Sequence, residues 1–191
     1  ITEVDGSAYL RGGESSGAGN GIQIQFTEDG SVDNTVDNIS ISRNLISGVK
    51  TLDSDARTLA VGVNVLPRGN NITNFKITNN TITGLKPGKS NAEEEARGIS
   101  IDTQVTKANS ETFEGETDDS MGVVNGVVIS GNNISAFSAN ASGTFEAAGI
   151  TLFGDNADKT DIGVNNFQIN SNTIENITNQ RDGVPSSSIF I

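Results

Sequence analysis

A twelve-residue phrase occurs four times in this chain, and it leaves few folds open. Asn38–Val49 (NISISRNLISGV), Asn74–Leu85 (NFKITNNTITGL), Gly126–Phe137 (GVVISGNNISAF) and Asn166–Ile177 (NFQINSNTIENI) align without a gap. They share an asparagine column: Asn44, Asn80, Asn132 and Asn172. Five residues before it stand Ile39, Phe75, Val127 and Phe167; three before it stand Ile41, Ile77, Ile129 and Ile169. Two after it come Ile46, Ile82, Ile134 and Ile174, and five after it Val49, Leu85, Phe137 and Ile177. Four apolar columns around one column of asparagine describe a coil that stacks on itself, each repeat burying its apolar side against its neighbours.

Between the phrases lies a second recurring element, an alternating strand of the form GIxI. It reads Gly21–Phe26 (GIQIQF), Val61–Val65 (VGVNV), Gly98–Ile101 (GISI), Gly149–Leu152 (GITL) and Ser188–Ile191 (SIFI). One coil is then a GIxI strand, a variable loop, an IxI strand, a bend at asparagine, a short apolar strand and a second loop. The spacing predicts an all-β parallel solenoid of about four to five coils, a single domain over residues 1–191. Neighbouring strands would be parallel and about 4.8 Å apart, so four coils rise about 19 Å. Only Asn91–Arg97 (NAEEEAR) and Asp53–Ala60 (DSDARTLA) read as short helices.

Composition excludes several kinds of chemistry. Apolar residues make up 34% of 191 residues, too few for a broad core but enough for the narrow lumen of a coil. The net charge of −12 argues against nucleic acid and anionic membrane, which both need basic patches. No apolar run approaches the ~18 residues of a membrane-inserted helix. There is no cysteine and no histidine, hence no thiolate, no disulfide and no imidazole base. The start at Ile1 without methionine is expected of a processed or excised piece, and the expected location is extracellular or at the cell surface.

The asparagine column itself is expected to be structural. An amide can bond the amides of the coils above and below and also the backbone of the bend. The variable loops Thr27–Asp37, Leu66–Asn71, Asp102–Val123 and Phe153–Gly163 all follow the GIxI strand, so one flank carries the elaboration. The long loop holds Glu114, Glu116, Asp118 and Asp119; the neighbouring loops hold Asp29 and Asp33, and Asp155 and Asp158. Flexible oxygen-rich loops suit Ca²⁺, which accepts 6–8 oxygen ligands, although no calcium-loop motif is matched. A solvated loop that keeps an acidic protein soluble is the plainer expectation. Six N-x-S/T sequons, at Asn38, Asn71, Asn79, Asn133, Asn140 and Asn176, follow from the abundance of Asn, Ser and Thr, and no glycan is assigned to them.

The asparagine bend, its flanking isoleucines and the GIxI strand resemble the right-handed parallel β-helix repeat of the pectin-lyase-like superfamily, over Gly21 to Ile191. The resemblance implies a right-handed single-stranded β-helix with an asparagine ladder at the bend. It leaves activity open, since that superfamily spans lyases, hydrolases, epimerases, tailspikes and adhesins. Its epimerases carry an Asp-Pro-His stretch and its hydrolases a Gly-His-Gly segment beside an Asp pair; without histidine the chain lacks both, although Asp118-Asp119 is an Asp pair. Its lyases use a strand arginine beside Ca²⁺-binding aspartates. Arg43 and Arg97 lie near strands, and neither has a carboxylate cluster in the aligned columns. One Tyr and no Trp give no aromatic platform for sugars. Catalysis is therefore not expected.

The ends carry the remaining signal. A solenoid has an open coil at each end, and neither end here shows a capping amphipathic helix. The last strand, Ile189, Phe190 and Ile191, is apolar and β-prone. Two readings stand: a piece of a longer β-helix, or stacking of that strand on the Ile1 end of the next copy, which gives open filaments. The expected function is a non-catalytic surface element, a fibre, sheath or adhesin module whose partners are copies of itself or adjoining β-helix coils. The alternatives are a segment of a polysaccharide-active β-helix, or a polysaccharide-binding tailspike or adhesin.

Overall fold

The computed structural model describes residues 4–11, 14–25, 35–53, 57–67, 70–103, 122–142, 146–153 and 163–191. These residues form strands and turns, with no α-helix among them. The chain enters through β1 (Val4–Arg11) and β2 (Glu14–Gln25). The first coil continues with β3 (Thr35–Asp37), β4 (Ser40–Ser42), β5 (Leu45–Ser47) and β6 (Val49–Thr51). The second comprises β7 (Thr58–Leu66), β8 (Asn71–Thr73), β9 (Lys76–Thr78) and β10 (Thr81–Thr83). The third comprises β11 (Glu94–Asp102), β12 (Val123–Asn125), β13 (Val128–Ser130) and β14 (Asn133–Ala139). The fourth comprises β15 (Ala147–Phe153), β16 (Gly163–Asn165), β17 (Gln168–Asn170) and β18 (Thr173–Asn179), and β19 (Ser187–Phe190) opens one more layer.

Each strand pairs in parallel with its counterpart one coil on. Ile41 faces Ile77, Ile77 faces Ile129 and Ile129 faces Ile169; Ile46, Ile82, Ile134 and Ile174 form a second such row. The result is a parallel β-solenoid with a lead sheet built on β2, β7, β11, β15 and β19, and three four-stranded sheets of short strands. Four stacked layers are linked by three turns, so from Asn44 to Asn172 the chain completes about three turns, fewer than the four to five expected.

A second correction concerns the coil itself, which has four strands where three were expected. The variable loops end in strands of their own (β3, β8, β12 and β16), separated from the next strand by a corner with positive φ. Those corners are Asn38 (62°), Asn74 (52°), Gly126 (70°) and Asn166 (49°). Arg43, Asn79, Gly131 and Ser171 make the next corner, and Gly48, Gly84, Ala136 and Asn176 a third. The left-handed region suits glycine and asparagine, and these two residues fill nine of the twelve corners. Corner amides bond across coils, as Asn38 N–H does to the Thr73 carbonyl (3.0 Å) and Asn79 N–H to that of Ser130 (3.0 Å).

Among the described residues neither expected helix forms. Glu94–Arg97 opens β11, and Thr58–Ala60 opens β7; a strand paired on both edges overrides local helix preference. The opening residues, rich in glycine and serine, also form strands: β1 pairs antiparallel with the start of β2 (Ser7 with Ala18, Arg11 with Glu14) and its first residues run parallel to β6.

The four repeated columns fill the lumen together with apolar residues of the lead strands, such as Val63, Ile99 and Ile150, and with Ile72 of β8 and Val124 of β12. Phe75, Ile77, Ile82, Ile129 and Ile134 are fully buried. Phe167 shares a column with Phe75 yet is 39% exposed, because it lies in the last described coil. The GIxI glycine is a packing requirement. A Cβ on Gly98 would lie 2.4 Å from Ile134 Cγ2 and 2.5 Å from the Gly149 carbonyl oxygen. Gly21, Gly62 and Gly149 face Ile46, Ile82 and Ile174 in the same way, at 2.3, 2.4 and 2.5 Å. Each coil closes by pressing the isoleucine after its asparagine onto the backbone of its own lead strand.

Candidate functional site

The polar element of the lumen is the ladder of asparagine side chains just past the second corner. Backbone N–H and Nδ2 of Asn44 both donate to Asn80 Oδ1, each at 3.0 Å. Asn80 donates in the same two ways to Asn132 Oδ1 at 3.0 Å, and Asn132 to Asn172 Oδ1 at 3.0 and 2.9 Å. Each Nδ2 also reaches back one coil: Asn80 to the Ile41 carbonyl, Asn132 to Ile77 and Asn172 to Ile129, all at 2.9 Å. Asn80 and Asn132 are 1% exposed, so these bonds satisfy groups that burial would otherwise leave unpaired. No side chain here is poised for chemistry. The ladder holds coils in register.

The bonds between successive asparagines are directional: each rung donates to the Oδ1 of the next rung towards the C-terminal end and accepts on its own Oδ1 from the N-terminal side. Among the described residues, the Asn172 backbone N–H therefore has no acceptor and Asn44 Oδ1 no donor at the two ends of the stack. The corner N–H groups show the same polarity, since those of Asn38, Asn74 and Gly126 donate to Thr73, Asn125 and Asn165 one coil on.

A second, external cluster lies at the first corner. Asp37 Oδ1 accepts from the Thr73 hydroxyl (2.6 Å) and from Asn74 Nδ2 (2.7 Å), and Asn166 Nδ2 donates to Asn125 Oδ1 (2.8 Å). The hydrogen bond from Thr73, and then that from Asn74, holds the Asp37 carboxyl below its ordinary pKa.

The outer face of the lead sheet carries an ion cluster that the aligned columns did not reveal. Glu95, fully buried on β11, accepts from Arg97 Nη2 at 2.6 Å through Oε2 and from Arg57 Nε through Oε1. The Arg97 guanidinium sits 5.1 Å from the centre of the Phe153 ring. Arg97 thus does have a carboxylate beside it, two residues along its own strand rather than across coils. The alternation Glu95-x-Arg97 ahead of GISI was the available signal, hidden by its helix-like composition. Both carboxylate oxygens are engaged by guanidinium groups, which suits anchoring of the Arg57 segment better than proton transfer.

The remaining expected residues divide by location. Ile189 and Ile191 are 44% and 68% exposed at the C-terminal end of the lead sheet, and Phe190 packs on Phe153 with ring centres 5.8 Å apart. Ile1 lies outside the described residues, as do Asp29, Asp33, Glu114, Glu116, Asp118, Asp119, Asp155 and Asp158. Among the described residues, no three of the Asp and Glu side chains come together as a cation site. No family model, curated protein or solved structure matches the chain.

Proposed function

We propose that this chain is a non-catalytic structural module of an extracellular or cell-surface β-solenoid of the pectin-lyase-like kind, which associates end to end with further coils, either copies of itself or adjoining ones. One observation carries the reading: among the described residues the ladder ends in an unmet backbone donor at Asn172 and an unmet acceptor at Asn44, with Phe167 of the lumen column 39% exposed in the same coil as Asn172. A coil that supplied an asparagine carbonyl and an apolar residue at those two places would repeat the contact already made three times within the chain. Ile39 provides the apolar residue, and placing it on Phe167 continues the alternation of ring and branched side chain in Ile39, Phe75, Val127 and Phe167. With a net charge of −12, approach of two copies is favoured by salt.

Electron microscopy of the purified chain across salt concentrations, with and without Ca²⁺, tests this. Filaments are expected, with an axial repeat near the ~19 Å height of four layers. Phe167→Lys, a change at a half-exposed position, is expected to leave the circular dichroism unaltered and abolish them. Single particles under all conditions would overturn the reading. The rival, a segment of a polysaccharide-active solenoid, draws only on Arg97 beside Glu95 at the lead sheet; release of unsaturated or reducing sugars from acidic polysaccharide would favour it.

A further inference from the structure

We propose that the edge of β15 now covered by β19 is a docking site for residues 20–25 of β2 from a second copy, and that β19 holds that edge until the copies meet. The inference rests on the end-to-end reading above and specifies which strands make the junction.

Counting layers leads to it. The short-strand sheets are four strands deep, but the lead sheet has a fifth layer in β19. If the short strands of a second copy continue directly on β16, β17 and β18, that copy's β2 falls in the layer β19 already fills. Both cannot occupy it. The N-terminal end shows the matching conflict. There Val4–Gly6 of β1 lies beside Val49–Thr51 of β6, in the layer that Ile177–Asn179 of a preceding copy would take.

β2 also fits the junction better than β19 does. In the lead sheet Ile22, Val63, Ile99, Ile150 and Ile189 share one column, and the position before them is Gly21, Gly62, Gly98, Gly149 and then Ser188. The glycine is needed wherever an isoleucine of the same coil presses on the strand. Gly21 meets Ile46 of its own coil at a distance that admits no side chain. Ser188 has a Cβ at that place and is tolerated because no such isoleucine lies behind it among the described residues. A continuing coil would bring one. β19 is thus a strand that fits the edge of the single chain and does not fit the assembled one, whereas β2 arrives with both the glycine and its isoleucine. This is addition of a strand to a sheet edge by exchange, a route that protects an edge until a partner of matching register replaces the guard.

The test is a reversible lock. Ala148 and Ser187 are facing residues of β15 and β19, and the chain has no cysteine, so A148C/S187C introduces the sole thiol pair. Neighbouring strands stand close enough for a disulfide. Filament growth is followed by light scattering and electron microscopy, with circular dichroism confirming the fold in both redox states. Growth when reduced and none when oxidised is the expected result. Equal growth in both states would overturn the exchange while leaving end-to-end association standing. Absence of growth in the wild type and the reduced variant alike would overturn both. I189S/I191S, which loosens β19, provides a second measurement: its lag is expected to shorten several-fold. A longer lag would mean that these isoleucines are themselves the contact, against the exchange.

Discussion

Replacing Asn132 by alanine should be among the most damaging single changes in this chain, although no reactive group is lost. Four hydrogen bonds of the side chain go: those accepted from Asn80 N–H and Nδ2, and those donated to the Ile77 carbonyl and to Asn172 Oδ1. Asn80 Nδ2 keeps the Ile41 carbonyl, and the residue-132 N–H keeps Asn172 Oδ1. The Asn80 backbone N–H keeps nothing, in a place where Asn80 is 1% exposed. An orphaned buried donor costs about 1–3 kcal/mol, and the other lost bonds roughly 0.5–1 kcal/mol each, so Asn132→Ala should cost about 3–5 kcal/mol. Asn44→Ala, at the end of the ladder, strands no buried backbone donor and should cost about 1 kcal/mol. Urea unfolding of both variants gives the comparison, with equal m-values as the check that the unfolded states match. Equal losses in the two variants, or a loss below about 1 kcal/mol in Asn132→Ala, would refute the ladder as a buried hydrogen-bond relay.

Other consequences follow from the same contacts. Gly98→Ala forces a methyl against Ile134 and the Gly149 carbonyl, and overpacking of that kind should cost at least about 1–3 kcal/mol by urea unfolding; a neutral effect would remove the packing account of GIxI. Glu95→Ala leaves the buried Arg97 without its carboxylate, and loss of about 3–5 kcal/mol is expected, whereas a neutral result would show Glu95 to be dispensable. The lowered pKa of Asp37 means the folded state favours its carboxylate, so its contribution to stability is present above pH ~4 and is lost as pH falls through the depressed value. Asp37→Asn should therefore show a shallower fall in thermal stability below pH ~4 than the wild type, and parallel curves would contradict the assignment.

What could be read from the sequence was what repeats. The asparagine and isoleucine columns fix both the stacking direction and the register, because each apolar position faces its own equivalent one coil on. Features set by the coil's cross-section were harder to see. The β3, β8, β12 and β16 strands each carry a central apolar residue, Val36, Ile72, Val124 and Val164, but they lie at the ends of loops of variable length, and the corners dividing them from the next strands are occupied by Asn38, Asn74, Gly126 and Asn166, whose shared property is tolerance of positive φ. Glu94–Arg97 is made of good helix formers, which hides its strand state; that state comes from neighbours 36 and 51 residues away in sequence, as the pairing of Ala96 with Ala60 and Ala147 shows. The glycine of GIxI marked a strand, but the isoleucine that makes it necessary lies 25 residues on for Gly21 and 36 for Gly98, a distance that only the closed coil brings together. The β1–β2 hairpin had no alternation to announce it. The acidic residues of the variable loops, candidates for cation binding beside the plainer expectation of a solvated loop, lie outside the described residues.

Amide hydrogen exchange by NMR tests the stacked-ladder account most directly, rung by rung. In the dispersed chain the N–H groups of Asn80 and Asn132, each bonded to the side chain of the next rung, should be protected to nearly the full unfolding free energy. That of Asn172, at the end of the stack, should exchange rapidly, and should become protected when the chain assembles. Rapid exchange at Asn80 and Asn132, or protection of Asn172 equal to theirs in the dispersed chain, would contradict it.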